Sequence, residues 1–326
     1  TPRDETMSSA AVNMRLDTHN MIMEEALGAR VVEGVREATE LSVGDFDGCR
    51  FKLVCAPEAL SVVTMHVDLP CWRELSSLGG QAALDEIFAG HVAAPDPGYK
   101  VAVRVDCDAV AAADRPALLA KLIDIKRHLV GAPFADAFAK LAAGTATKGP
   151  VAALPWREGG EAVYVMAGND PAKPASYDRV AVVYAIDFPE ETDRAMGRVL
   201  LQQFAETRVP GAPPVTFSEA KAPPLEIRDL VATSGFLGFG GKKLPSVVGY
   251  VTLTVFKRHV DTPEKLADRV GLCVGFRNYL HYHIKAAKTN QHMRMRRKVY
   301  SWLQILNRAV PKPAAGREMK TATGRS

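Results

Sequence analysis

The alternation of apolar and polar positions divides the chain into two successions of similar elements. In the first, apolar residues at Met14, Ile22, Met23, Ala26 and Leu27, stopped by Gly28, predict a helix over 12–28. Strands are predicted at 39–46, 48–55 and 61–68, the second opening on the turn dipeptide Asp47-Gly48. Residues 70–91 read as a helix in two pieces broken at Gly79-Gly80, and Val101, Val103 and Val105 alternate as a strand does. Asp114-Arg115-Pro116 opens a helix to about His128, with a further piece after Pro133. Gly144 to Pro155, rich in Gly, Ala, Thr and Pro, reads as the boundary between domains.

The pattern then returns. Strands at 161–166 and 179–187, a helix at 190–206 and a strand at 213–218 lead into a long irregular insertion at 219–245, and Val247 to Phe256 forms the next strand. Val62 to Val67 runs into Asp68-Leu69-Pro70, and Val180 to Ile186 runs into Asp187-Phe188-Pro189. Arg115-Pro116 has its counterpart in Thr262-Pro263. This loose repeat predicts two halves sharing one α+β fold. The expected division is an N-terminal extension at 1–12, a first α/β domain at 13–147, a second at 148–258, a long basic helix at 259–310 and a tail at 311–326.

That last helix changes the picture. Asp261-Thr262-Pro263-Glu264 supplies a cap, a proline for the first turn and an acid for the helix dipole. No proline interrupts the next ~46 residues, which at 1.5 Å each would span roughly 70 Å. Leu266, Val270, Cys273, Leu280, Ile284, Ala287, Met295, Trp302 and Leu306 recur at helical spacing. Gly271 and Gly275 weaken such a helix unless they let another element approach closely.

Charge sharpens the contrast. The chain carries +4 overall, but from Lys242 onward there are 18 Lys and Arg against 4 Asp and Glu, leaving 23 against 33 before it. No acidic residue falls between Arg269 and Arg317, so the helix cannot form the internal pairs four residues apart that a solvated helix usually contains. Such a run is a solvated face or the contact surface for an acidic partner: an anionic protein, nucleic acid or anionic lipid.

The other chemistry is sparse. Five cysteines without a CxxC pair, and no Asn-x-Ser/Thr sequon, point away from a disulfide framework or zinc cluster and toward a reducing cytoplasm. The polar start lacks the apolar core of a signal peptide, and no stretch approaches the ~20 apolar residues of a membrane span. His281-Tyr-His283 diverge on a helix and predict packing rather than chelation. Gly235 to Lys243 lacks the spacing of a phosphate loop, and Cys49 and Cys55 predict core packing. No nucleophile-elbow, HExxH or paired-acid motif occurs, so the expectation is binding without catalysis, cofactor or metal.

Phe276-Arg-Asn-Tyr-Leu-His-Tyr-His-Ile-Lys285, Met293-Arg-Met-Arg296, Leu306-Asn-Arg-Ala309 and Glu318-Met-Lys-Thr-Ala-Thr-Gly324 closely resemble subunit 2 of the actin-related protein 2/3 complex. Asp45-Phe-Asp-Gly48, Pro97-Gly-Tyr99 and Ala222-Pro-Pro-Leu-Glu226 match further landmarks in order, and the resemblance covers about 13–324. It implies two similar α/β-sandwich domains with mainly antiparallel sheets and a long C-terminal helix. It also implies a cytoplasmic, cytoskeletal scaffold that pairs with subunit 4 among the other subunits and binds the side of the mother actin filament during branched nucleation. Mapped here, it implies filament contact by Lys285, Lys288, Arg294, Arg296, Arg297, Lys298 and Arg308, though Arg297 stands where the family pattern does not insist on a basic residue. Leu280, Ile284, Ala287, Met295, Trp302 and Leu306 are expected to pack on the partner subunit. With that resemblance counted, nucleic acid drops out as the expected partner, and an anionic lipid surface remains an additional one.

Overall fold

The computed structural model describes residues 19–147, 151–157, 161–169, 177–207, 210–233 and 247–309. The chain divides into two compact units, one ending at His281 and the other beginning at Tyr282.

The first unit holds two five-stranded antiparallel sheets. Helix α1 (Met21–Val31) starts on Asn20, whose side chain accepts from the amides of Ile22 at 3.1 Å and Met23 at 3.3 Å. Strands β1 (Thr39–Gly44), β2 (Arg50–Cys55) and β3 (Val62–Asp68) form a meander. Two short helices, α2 (Trp72–Leu75) and α3 (Gln81–Ile87), are separated by a wide turn at Ser76–Gly80, where Gly79 takes φ +101°. That positive φ is why the expected break falls there. The two-residue strand β4 (Val92–Ala93), which the sequence pattern does not announce, is the edge; β5 (Val101–Asp106) returns between it and β3.

Helices α4 (Arg115–Ile123) and α5 (Ile125–Ala143) follow. The sequence predicts a new piece after Pro133, yet α5 runs through it. Pro133, Phe134, Phe138 and Leu141 are all buried, and this packing outweighs the hydrogen bond that proline removes. Gly144 ends the helix at φ +73°.

The second sheet repeats the first. It comprises β6 (Ala152–Arg157), β7 (Glu161–Asn169), β8 (Tyr177–Ile186), β9 (Val215–Glu219) and β10 (Gly249–Phe256), with α6 (Glu191–Glu206) between β8 and β9. The order is β1-β2-β3-β5-β4 in one sheet and β6-β7-β8-β10-β9 in the other, so the repeat seen in the sequence is a repeat of topology. Strand β6 lies in the stretch read as a linker. It is an edge strand, where Pro155 needs no partner for its missing amide, and a register shift follows it.

The two sheets differ in what covers them. In the first, burial alternates along β2, with Phe51, Leu53 and Cys55 inside. In the second, every residue from Val180 to Ile186 is buried, so both faces are covered. Tyr164, Val183 and Tyr250 form the second face's core with Ile227 of a further helix, α7 (Leu225–Thr233), whose Leu230 also packs against that core. The insertion expected to be irregular thus contains a helix. Its apolar signal is the short set Leu225, Ile227, Leu230 and Val231 between Pro223-Pro224 and the Gly-rich stretch; that stretch, Gly235 to Lys243, lies outside the described residues.

Candidate functional surface on the C-terminal helix

The last helix, α8, runs from Pro263 to Ala309, 47 residues. Thr262 caps it: its hydroxyl accepts from the Lys265 amide at 3.3 Å and its carbonyl from Leu266 at 2.9 Å. As far as His281 it belongs to the first unit. Val270, Cys273, Val274, Phe276 and Leu280 are buried, the Tyr184 hydroxyl donates to the Cys273 carbonyl at 2.8 Å, and the Tyr184 and Phe276 rings lie 4.7 Å apart. Close approach to α5 comes from Gly131, where an added Cβ would stand 2.7 Å from Val270.

Buried charges tie this part of the helix to both sheets. Arg277 is 3% exposed. Its Nε donates to Glu161 of β7 at 3.1 Å, and a terminal nitrogen lies 2.5 Å from the same carboxylate. Its other terminal nitrogen donates to the Asp47 carbonyl at 3.2 Å, and the guanidinium stacks 4.6 Å from the Trp156 ring centre. The Trp156 indole donates to that Asp47 carbonyl at 2.6 Å. Asn278 accepts from the Phe46 amide at 3.0 Å. The two sequence landmarks Asp45–Gly48 and Phe276–His281 are therefore one contact: the β1–β2 turn closing on the helix.

The side chains of that turn face Lys126 of α5. Its ammonium lies 2.8 Å from Asp45 and 2.7 Å from Asp47. Burial opposes every charge here, and the partners outweigh it. Cys49, Asp47 and Asp45 raise the Lys126 pKa, while Lys126 and Arg277 lower that of Asp47. Arg277 and His281 likewise hold Glu161 below its ordinary value of 4.5. Asp45, Asp47 and Cys49 place ligand atoms within 4.8 Å of one another, a spacing that suits a metal ion. The Lys126 ammonium already satisfies both carboxylates, however, and burial pushes the Cys49 thiol well above its ordinary pKa, so the cluster is a structural ion network.

His281 lies 3.5 Å from the Glu161 carboxylate and edge-on to Phe188 at 5.1 Å, a packing role. All five cysteines are free and buried, as core packing of Cys49 and Cys55 requires.

From Tyr282 onward the helix has a different character. Every residue from Thr289 to Arg308 is exposed. Of the basic residues singled out by sequence, Lys285, Arg294, Arg296, Arg297, Lys298 and Arg308 are exposed and Lys288 is half-buried. The apolar set divides. Leu280 and Ile284 are buried within the chain itself, at 1% and 2% exposure, so they leave the group available to a partner. Ala287, Met295, Trp302 and Leu306 are exposed, Trp302 at 64%.

The exposed apolar residues also include Met293, Val299, Tyr300, Leu303 and Ile305. Val299 completes a seam: Met295, Val299, Trp302 and Leu306 follow one another by four, three and four positions, the spacing of a helix packed along a second element. That spacing was present in the sequence and identifies Val299, which a list of widely spaced apolar positions omits. At about 100° per residue, Arg297 and Arg308 lie opposite the seam. Arg294 and Lys298 flank it on one side, Arg296 and Lys285 on the other.

Comparisons with known proteins agree with the landmarks. Residues 65–313 match the family described as Arp2/3 complex, 34 kD subunit p34-Arc. The chain is 34% identical over 326 residues to actin-related protein 2/3 complex subunit 2 of Schizosaccharomyces pombe, covering 96% of this chain and 98% of that protein. It is 32% identical over 316 residues to the protein of the same name from Dictyostelium discoideum, covering 95% and 97%.

Proposed function

The chain belongs to the p34-Arc family of Arp2/3 complex subunits, and from that premise we propose that it is a scaffold whose C-terminal helix pairs with subunit 4 and binds the side of a mother actin filament. Its work is association: it holds the complex on an existing filament in the cytoplasmic cytoskeleton while a branch is nucleated. The two sheet-bearing domains and the helix divide the labour, the domains fixing the first part of α8 and the exposed part presenting its side chains.

One observation carries this reading. On the exposed stretch of α8, an apolar seam of Met295, Val299, Trp302 and Leu306 shares the helix with basic residues on its other sides, and no acid accompanies them from Arg269 to Arg317. The seam suits a sister subunit, since a row of exposed Trp and Leu side chains is unfavourable in water. The cations suit an acidic filament surface, to which they give on-rate and register. Cosedimentation of the intact complex with filaments tests it. Reversal of Lys288, Arg294, Arg296 and Lys298 to Glu is expected to weaken binding most at low salt; unchanged binding removes these residues from the role.

A further inference from the structure

We infer that Ser301 is the acceptor for a basophilic protein kinase, and that a phosphate there switches off the basic face of α8 while leaving its apolar seam free to pair. The inference rests on the filament-binding reading above and adds its regulation.

Ser301 follows Arg296-Arg297-Lys298-Val299-Tyr300, so cations stand three, four and five positions before the hydroxyl. An acidic kinase groove recognises basic residues placed in this way before the acceptor. On the helix, the same serine falls among the cations. Arg297 and Lys298 are one turn before it, and Arg294 and Arg308 are two turns away on the same side. The seam residues lie roughly on the opposite side. Ser301 is exposed, as is every residue from Thr289 to Arg308, so few buried contacts oppose the local opening that a kinase cleft needs.

In the transfer, the Ser301 Oγ attacks the γ-phosphorus of a nucleoside triphosphate. The new O–P bond forms as the bond to the β-phosphate bridging oxygen breaks. The hydroxyl proton passes to a base of the kinase, and the nucleoside diphosphate departs. The product adds about −1.5 to −2 of charge and three acceptor oxygens. Arg297 and Lys298 are in reach to pair with it, which removes them from any acidic surface outside.

The test uses the intact complex, incubated with ATP and the catalytic domain of a basophilic kinase. Mass spectrometry is expected to find phosphate on Ser301, and none at that site in Ser301→Ala. Filament affinity is expected to fall about three- to tenfold at low salt, the effect of losing roughly two surface charge contacts, and to return after phosphatase. Recovery of the partner subunits stays unchanged. The inference is overturned if Ser301 takes no phosphate. It is also overturned if the phosphorylated complex binds as tightly as before while Arg297→Glu with Arg308→Glu weakens binding. If that double reversal has no effect either, the filament reading itself is wrong and the switch falls with it.

Discussion

Two parts of one helix use the same residue types in opposite ways. Before His281, α8 buries its apolar positions, and its arginine at 277 is enclosed by Glu161, Trp156 and the Asp47 carbonyl. After Tyr282 it exposes Met, Val, Trp and Leu in a row, and its arginines face solvent. Continuous helical periodicity therefore says little about who the partner is. In the first part the buried Arg277 is answered within the chain by Glu161, which fixes the fold. In the second, no acid stands on the helix beside the exposed arginines, and that asymmetry is what an intermolecular surface needs.

The sharpest way to break the comparison is at Arg277. Arg277→Leu leaves Glu161 buried without its main counter-charge, so the chain is expected to lose about 3–5 kcal/mol of stability. An exposed arginine such as Arg297 changed to Leu should stay within about 0.5 kcal/mol. Urea denaturation of the two variants beside the parent measures the difference. Equal losses would erase the distinction between the two parts of the helix.

The seam should show the reverse behaviour. Trp302→Ala is expected to leave the stability of the isolated chain nearly unaltered, but to cost about 2 kcal/mol or more in association with the partner subunit, as a central aromatic anchor does. Titration of the variant chain against that subunit reads the loss, and thermal melting of the chain alone is the control. A drop in melting temperature without a change in affinity would assign Trp302 to the fold instead.

Acid sharpens the contrast further. Asp47 and Glu161 have folded pKa values below their ordinary 3.8 and 4.5. A depressed folded pKa means that the stability these groups contribute is complete above the unfolded values. It is lost as pH falls below them toward the folded ones. Stability should therefore decline steeply below about pH 4.5, and Glu161→Gln should be less stable at neutral pH but show a shallower decline. Denaturation midpoints from pH 3 to about 7 would test this; parallel curves for parent and variant would exclude Glu161 as a source of the acid sensitivity.

Much of the architecture was legible in the sequence because it depends on local pattern. The matched runs Val62–Pro70 and Val180–Pro189 report two sheets that prove to share one strand order. Gly79 marks its helix break because only a positive φ serves there. Strand β6 and helix α7 were hidden by composition: proline and small residues imitate a linker, and a helix of 9 residues between Pro-Pro and Gly-rich sequence is too short to show its period. The buried charges were hidden for a different reason. Arg277 sits in a run of helical spacing and basic composition, and nothing local says that its partners are Glu161, 116 positions away, and Asp47, 230 positions away. The same limit explains Leu280 and Ile284, which have the spacing of seam residues but are buried in the chain itself.

The smallest expected effect separates cations on the same exposed stretch. Arg297 lies opposite the apolar seam and Arg296 beside it, although they are adjacent in sequence. If the seam packs on a sister subunit, Arg296 is near that interface and Arg297 is turned toward whatever lies across the helix. Arg297→Glu should then weaken filament cosedimentation by a few fold, since one exposed pair contributes about 0.2–1 kcal/mol. The difference should be largest at low ionic strength and shrink near 0.15 M, where screening acts over roughly 8 Å. Arg296→Glu should lower recovery of the partner subunit as well as filament binding. Indistinguishable effects of the two reversals on both readouts would mean that the helix presents a uniform cationic surface, and that its seam does not set its orientation.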